Sequence, residues 1–469
     1  MKPQSRWIGR LAKPAIIAAI VGAFSFSGVA DQIAGFSASL GEKDRIVRWS
    51  AVLSGATRDA IPVTLIDIDP ATMSALGHPA RAPRDLVAGL VGLAAAKQPG
   101  GIFLDMDTSQ PGTPDGDRAL ATLIADYPQA APPLALARRL GPPGEAGADP
   151  QALAAQPSIL DAAVSGHPNI LWASSISRID ADRVVRRWEL SQTLCGPGGR
   201  YTLPSPQLIA AAVAGAEPRP LADVHAFAAA RTRESCGTDA SGSAPGWPRN
   251  PDPRAAIAFL IGDGSDIAAP QFIRRDGASV PLFRRISARA LMTPAGAVVA
   301  PRAVADDLLR GRFVIIGASH AESMDGHLTP IGFLPGALIV ANAVATAPAV
   351  LSAQPLGPVG ASLIALALFG TLMAITHQLR PLAAGIVVGV AVLAALMVLG
   401  RIFAPSAAGD MVLAAFGMVA FFSTFEGLYT LGQDWRAKGW RALLKPARPQ
   451  PAQAFQDQPA KAPATKDIA

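Results

Sequence analysis

Three short apolar runs, each breaking into polar residues at its carboxyl end, set the pattern of this chain. Phe313 to Ile316 lies between a basic turn and Gly317, and the small polar run Ala318, Ser319, His320 follows. Val63 to Asp69 (VTLIDID) and Gly101 to Asp107 (GIFLDMD) end in spaced carboxylates. Such a run reads as a buried strand ending at a site-forming loop. Helix-like segments come next: Pro70 to Leu76 and Arg84 to Lys97 after the first, Asp115 to Ala125 after the second. After the third, a loop through Asp325, His327, Thr329 and Pro330 closes at Pro335-Gly336 before the apolar stretch Ala337 to Thr346. Strand and helix in alternation predict an α/β domain with a mostly parallel sheet, buried on both faces, its carboxyl ends on one edge. Open sheets of this kind bind ligands at that edge. Asp67, Asp69, Asp105, Asp107, Ser319, Asp325 and Thr329 are therefore the candidate ligand-binding residues.

Longer apolar stretches lie toward the two ends. Residues 1–13 carry four Lys or Arg and no acid, and 14–30 is uncharged. Seventeen residues span roughly 26 Å as a helix, enough for a thin bilayer. The alternative is a cleaved signal peptide with Gly28-Val29-Ala30 before the cut; both readings export the chain beyond residue 30. Residues 31–60 read as a juxtamembrane connector, in part an amphipathic helix around Ile46 to Leu53, and 61–354 as the folded body. Within it Gly141 to Pro157 and Arg231 to Pro253 lack a periodic apolar face and read as surface loops. Leu356 to Thr376, Pro381 to Gly400 and a segment at 409–431, with its apolar part from Met411 to Leu431, are each long enough to cross a bilayer. One amino-terminal and three carboxyl-terminal transmembrane helices result, and the tail 433–469 lies in the cytoplasm. In it Trp435 to Leu444 reads as a short basic amphipathic helix on the inner leaflet. The rest is too poor in apolar residues to pack a core.

Composition and charge agree with this layout. Apolar residues make up 50% of 469 positions, which argues for a soluble body held by membrane helices. The net charge of +6 is unevenly spread. Residues 31–355 hold 28 Lys and Arg against 30 Asp and Glu, and the remainder 13 against 5. The excess sits beside the membrane segments, as the positive-inside rule requires, and a nucleic-acid partner is excluded.

Of the chemistry-bearing residues, Cys195 and Cys236 both fall in the exported body and are a candidate disulfide, closing a loop worth roughly 3 to 4.5 kcal/mol in chain entropy. The spaced carboxylates suit a hard cation or a cationic solute, or else cap the following helices. Alternation puts Asp67 and Asp69 on one strand face, Ile66 and Ile68 on the other. His320, Asp325 and His327 form too loose a set for zinc, so no metal and no cofactor are expected. No nucleophile elbow surrounds Ser319, and no catalytic residue or enzyme activity is expected. Arg183, Arg186 and Arg187 read as a solvated structural turn, the alternatives being pairing with Asp180 and Asp182 or with an anionic ligand. Glu426, near the cytoplasmic end of the last span, is a membrane carboxylate that points to a functional role.

Taken in order, IPVTLIDIDPATMSALG, GGIFLDMD with DGDRALA, RIDADRVVRR before LPSPQLIAAAVAG, GRFVIIGASHAESMDGHLTPIGFLPG and the three apolar helices resemble the type-2 CHASE domain, the cyclase/histidine-kinase-associated sensory extracellular domain. The resemblance covers Ile61 to Thr346 and the membrane segments. It departs from the family at Leu338 and Val340, where a Glu and a His are usual. It implies a multi-pass protein of the bacterial inner membrane with a periplasmic sensory domain. Family members usually drive a cytoplasmic cyclase or kinase; here 37 residues follow the last span, so the output is expected from a separate signalling partner. The competing reading is a non-switching scaffold or accessory subunit of an envelope assembly. Homo-oligomerisation is left open by both.

Overall fold

The computed structural model describes residues 50–51, 59–141, 154–232, 257–262, 272–353, 358–378 and 381–403, apart from short internal gaps at 176, 181, 188, 197–198, 216–217, 276–277, 321–322 and 324, with a few single positions beyond 403. The chain divides into two units, Met1–Phe416 and Gly417–Ala469, and the second lies almost wholly outside the described residues. So do the amino-terminal anchor, most of the 31–60 connector, the Gly141 to Pro157 and Arg231 to Pro253 inserts except at their ends, Cys236 with the side chain of Cys195, most of Met411 to Leu431, Glu426 and the Trp435 to Leu444 segment.

The first unit is built on one six-stranded sheet. Its strands are β1 (Val63–Ile68), β2 (Gly101–Leu104), β3 (Leu134–Ala137), β4 (Ile170–Ala173), β5 (Phe283–Ser287) and β6 (Phe313–Ala318), in the spatial order β5-β1-β6-β2-β3-β4. Every pairing is parallel. Alternation splits the side chains into two cores. Leu65, Phe103, Phe313 and Ile315 face one side; Ile66, Ile68, Ile102, Leu104, Val314 and Ile316 face the other. A parallel sheet buried on both faces needs apolar residues at consecutive positions, which these strands supply.

Helices α1 (Pro70–Ala75), α2 (Arg84–Ala96) and α3 (Pro114–Ala125) cover the second face. Helices α4 (Pro206–Ala214), α5 (Leu221–Thr232) and α6 (Gly336–Ser352) cover the first. Three of them start in one way: Asp69, Thr113 and Ser205 cap with a side-chain oxygen, and proline follows at the first position. The cap accepts an amide that the first turn leaves unpaired, and proline brings a preset φ without adding another. Two further helices, α7 (Pro358–Gln378) and α8 (Pro381–Ile402), have 21 and 22 residues. Among the described residues no helix is long and apolar enough to cross a membrane; side chains are described over 359–375 and 386–402, a part of each of these two helices.

Two expectations are revised. The second strand ends at Leu104, so Asp105 and Asp107 stand beyond it. The stretch between β6 and α6 is not all loop: Gly326–Thr329 and Gly332–Pro335 pair as an antiparallel hairpin, and Gly332 takes the positive φ of 111° that its turn requires.

Two buried polar side chains tie the layers. Arg312, 4% exposed, donates to Thr64 Oγ1 (2.7 Å), Val63 O (2.7 Å), Pro281 O (2.9 Å) and Leu282 O (3.3 Å), joining the amino ends of β6, β1 and β5. Burial pulls its pKa down to about 10, still charged at neutral pH. Asn342 of α6, fully buried, accepts from the amides of Leu260 (2.7 Å) and Ile261 (2.8 Å) and donates to Ile261 O and Leu338 O, both at 2.8 Å. It holds the buried segment 257–261 on the helix. Leu338 and Val340 of α6 are both buried in the same core. Pro348 lies inside α6, four positions before its end.

Replacing Asn342 by Ala leaves two buried amides without an acceptor, and the loss is expected to be about 2–4 kcal/mol. The shift of the urea midpoint, followed by tryptophan fluorescence, measures it; a change under about 0.5 kcal/mol, the scale of a surface substitution, would show that Asn342 does not hold the layers.

Candidate functional site

The carboxyl edge of the sheet is organised by one row of residues on the α6 face. Asp67 of β1 pairs with Ser287 of β5 on one side and Gly317 of β6 on the other. Asp105 follows the Ile316–Leu104 pair, donating its amide to Ile316 O at 2.8 Å, and so stands beside Gly317. The row reads Ser287, Asp67, Gly317, Asp105. At its centre a Cβ on Gly317 would lie 2.7 Å from the Cβ of Ala337, the second residue of α6, and 3.6 Å from that of Asp105. Helix α6 thus begins directly over Gly317, with a carboxylate on either side, two strand spacings or about 10 Å apart.

Asp67 is buried as a residue, 1% exposed. Its Oδ2 accepts from Arg285 Nε (2.7 Å) and Nη2 (2.6 Å) and from Ser319 Oγ (2.8 Å). Arg285 also donates to Ser319 Oγ at 3.0 Å, closing the triangle. Oδ1 is buried without a partner among the described residues. Burial raises the Asp67 pKa above the ordinary value, against the opposing pull of Ser319 and Arg285.

Asp105 belongs to a second group with Asp325 and His327. Its pKa is pushed up to about 7, by burial first and by the Asp325 charge second, while a hydrogen bond from Ser175 and the nearby His327 pull the other way. The residue as a whole is only partly covered, while its carboxyl group is buried. His327 Nε2 and Asp325 Oδ1 are 3.2 Å apart, and this bond, ahead of its burial, raises the imidazole pKa. The Asp325 carboxylate fills the space beside Gly336 where any other residue would carry Cβ, and Asp325 O accepts the Gly336 amide at 2.7 Å. An anion at that place sits at the positive end of the α6 dipole.

The remaining candidates are occupied in turns. Asp69 caps α1, accepting from the Thr72 amide (2.8 Å) and hydroxyl (2.6 Å). Partial burial would raise its pKa, but these bonds outweigh it and hold it low. Asp107 accepts from the Ser109 amide (2.8 Å) and hydroxyl (2.6 Å) and pairs with Arg139 at 2.8 Å; its pKa is likewise low against a raising effect of burial. Thr329 donates to Gly332 O at 2.6 Å within the hairpin turn. Farther off, Arg186 pairs with Asp182 at 2.7 Å and Asp180 at 3.4 Å, and Arg187 with Asp180 at 3.1 Å, while Arg183 takes a positive φ of 65° in that turn. His320 is buried. Among the described residues no group of three or more His, Cys, Asp and Glu is arranged to hold a metal ion.

The structure brings together Asp67 with Ser319 and Asp105 with Asp325. Sequence reasoning missed Arg285 and Ser175. Arg285 lies on FRRIS, where two charges mask the strand; its alternation of Phe283, Arg285 and Ser287 was the available signal. Chemically the edge presents buried carboxylates, one paired with a guanidinium and one with a carboxylate and an imidazole, at a helix amino terminus. Such a group can take up a proton or a cationic moiety when conditions change.

The family model of the CHASE2 domain matches residues 15–375. No curated protein and no solved structure matches the chain.

Because Asp105 titrates higher in the folded chain than unfolded, its effect on stability is neutral below about pH 4 and grows unfavourable as pH rises to about 7. Asp105→Asn is expected to leave Tm unchanged at pH 4 and to raise it at pH 8, by roughly 2–4 °C for each kcal/mol relieved. Thermal unfolding across that range checks this; a gap between the two proteins that does not vary with pH would exclude the elevated titration.

Proposed function

This chain belongs to the CHASE2 domain family, a family of sensory extracellular domains, and from that premise we propose that it is a multi-pass bacterial inner-membrane sensor. Its α/β domain lies in the periplasm, takes its stimulus at the carboxyl edge of the sheet, and signals through the membrane helices to a separate partner. The protein acts by binding and conformational change, without catalysis of its own.

One observation carries this reading: helix α6 runs from the edge toward α7 and α8. It starts over Gly317 between Asp67 and Asp105. It runs back antiparallel to the strands, so that Ala345 O accepts the Ile61 amide (3.2 Å) just before β1 begins. Its last residues therefore lie past the amino edge, and only 354–357 separate Ala353 from α7. Support for membrane crossing comes from the full lengths of α7 and α8, which hold no Asp, Glu, Lys or Arg before Arg401. Twenty apolar residues suffice for the hydrocarbon core. Exposed Val359, Leu363, Ile386, Val390, Leu393 and Met397 suit a lipid surround.

For a ligand to signal, it must favour one arrangement of α6 over another, since only a difference in affinity shifts an equilibrium. A solute carrying a positive group, placed beside Asp105 and Asp325, or a proton on Asp105, meets this condition, because either changes the charge beside the first turn of α6, where it interacts with the helix dipole.

Affinity purification of the detergent-solubilised full chain, compared with one ending at Gly432, tests the output. The expected result is a kinase, cyclase or other signalling protein that co-purifies with the full chain and is lost from the shorter one. Envelope proteins retained equally by both would replace sensing with a scaffolding role.

A further inference from the structure

The opposite edge of the sheet, where the strands begin, carries a surface that the sensory reading leaves unused. It is the side to which α6 descends. Five peptide steps from Ala353 to Pro358 keep the start of α7 within about 19 Å of Ala353. Phe272–Arg275 and Ala278–Pro281 form an antiparallel hairpin there, leading through Leu282 into β5. Alternation along its first strand is sharp. Ile273 is buried in the core shared with α6, while Phe272 is 56% exposed and Arg274 is exposed beside it.

Basic groups gather around this hairpin. Arg275 donates to Gly311 O at 3.3 Å, at the turn before β6. Arg284 pairs with Asp307 at 2.9 Å and Arg310 with Asp306 at 2.8 Å. Lys97 shares Asp306, at 2.7 Å. Beneath them Arg312 is buried, and Arg284 and Arg275 are near enough to add to the lowering of its pKa that burial begins. In this group of described residues the cations Arg274, Arg275, Arg284, Arg310, Arg312 and Lys97 outnumber their acidic partners Asp306 and Asp307; Asp276, between the hairpin strands, lies outside the described residues. Among the described residues Arg274 enters no ion pair, and its side chain is exposed. An exposed aromatic ring beside a guanidinium, on the side of a domain nearest its membrane helices, has the chemistry of an interfacial anchor: the ring reaches the headgroup level and the cations meet lipid phosphates.

We propose that the paired strands Phe272–Arg275 and Ala278–Pro281, with Arg284 and Arg310, dock on the anionic phospholipid headgroups of the membrane that α7 enters. The inference rests on the membrane reading of α7 and α8. It assigns the domain a fixed seat on the bilayer, with the carboxyl edge turned away from the lipid and open to periplasmic solutes. Phe272 enters the headgroup layer, Arg274 bonds phosphate directly, and Arg284 and Arg310 contribute attraction while keeping Asp307 and Asp306.

Hydrogen–deuterium exchange on the full chain in lipid nanodiscs tests it. Phosphatidylcholine discs are compared with discs of mixed phosphatidylcholine and phosphatidylglycerol. The hairpin amides are expected to exchange roughly fivefold more slowly in the anionic discs, the scale of one basic residue at such a surface. High salt should reduce the difference, and Arg274→Glu, at an exposed position, should abolish it. The Gly326–Pro335 hairpin, on the far edge, should exchange alike in both. Equal exchange of residues 272–281 in the two lipids, with the chain still held by the discs, overturns the docking face and leaves the membrane reading intact. A chain that alkaline carbonate strips from the discs overturns both.

Discussion

Gly317 allows helix α6 to begin in contact with the sheet, because the Cβ of any other residue there would stand 2.7 Å from that of Ala337. From this one close approach the arrangement of the edge follows. Asp67 and Asp105 flank a helix terminus in place of a third side chain. Asp325 can reach the first residue of that helix because Gly336 also lacks Cβ. Two glycines about twenty positions apart thus make a space that charged groups fill from both sides. A side chain at Gly317 would push the helix off the sheet, overpacking that costs about 1–3 kcal/mol, and one at Gly336 would displace the Asp325 carboxylate.

The carboxylates at the edge differ in kind although their sequence settings look alike. Both pairs occur as D-x-D at the end of an apolar run. In each pair the first member is held on the core face, where burial raises its pKa. The second has passed beyond the strand and accepts local amides and hydroxyls that lower it. The first aspartates are thus the ones whose charge state is open to influence, and the second serve the chain's local geometry. Capping and site formation, which compete as explanations when each Asp is considered alone, divide between the two positions of each motif.

How far the fold could be read from residues depended on apolar density. VTLIDID, GIFLDMD and FVIIGA are buried on both faces, and their runs announce strands. FRRIS is an edge strand; two arginines interrupt it, and with it Arg285, the partner of Asp67, stayed hidden. The period-two placement of Asp67 against Ile66 and Ile68 was legible because it needs only alternation. The electrostatic coupling of Asp105 to Asp325 was not, since it depends on a hairpin, GHLT paired with GFLP, whose exposed Leu328 and Phe333 read equally well as loop. Arg312 and Asn342 gave no signal at all: their importance comes from backbone acceptors and donors distant in sequence, which residue type does not reveal.

Pro348 changes what α6 is mechanically. Over its first three turns the helix is a rod, fixed by Asn342 and by apolar packing, roughly 25 Å in all for 17 residues. Proline has no N–H to give Val344 O, and its ring crowds that carbonyl. The rod therefore has a joint in its last turn, on the side where the chain leaves the domain. Without that hydrogen bond the last turn bends more readily than it lengthens, so a displacement of the fixed end would leave the domain as a change of direction.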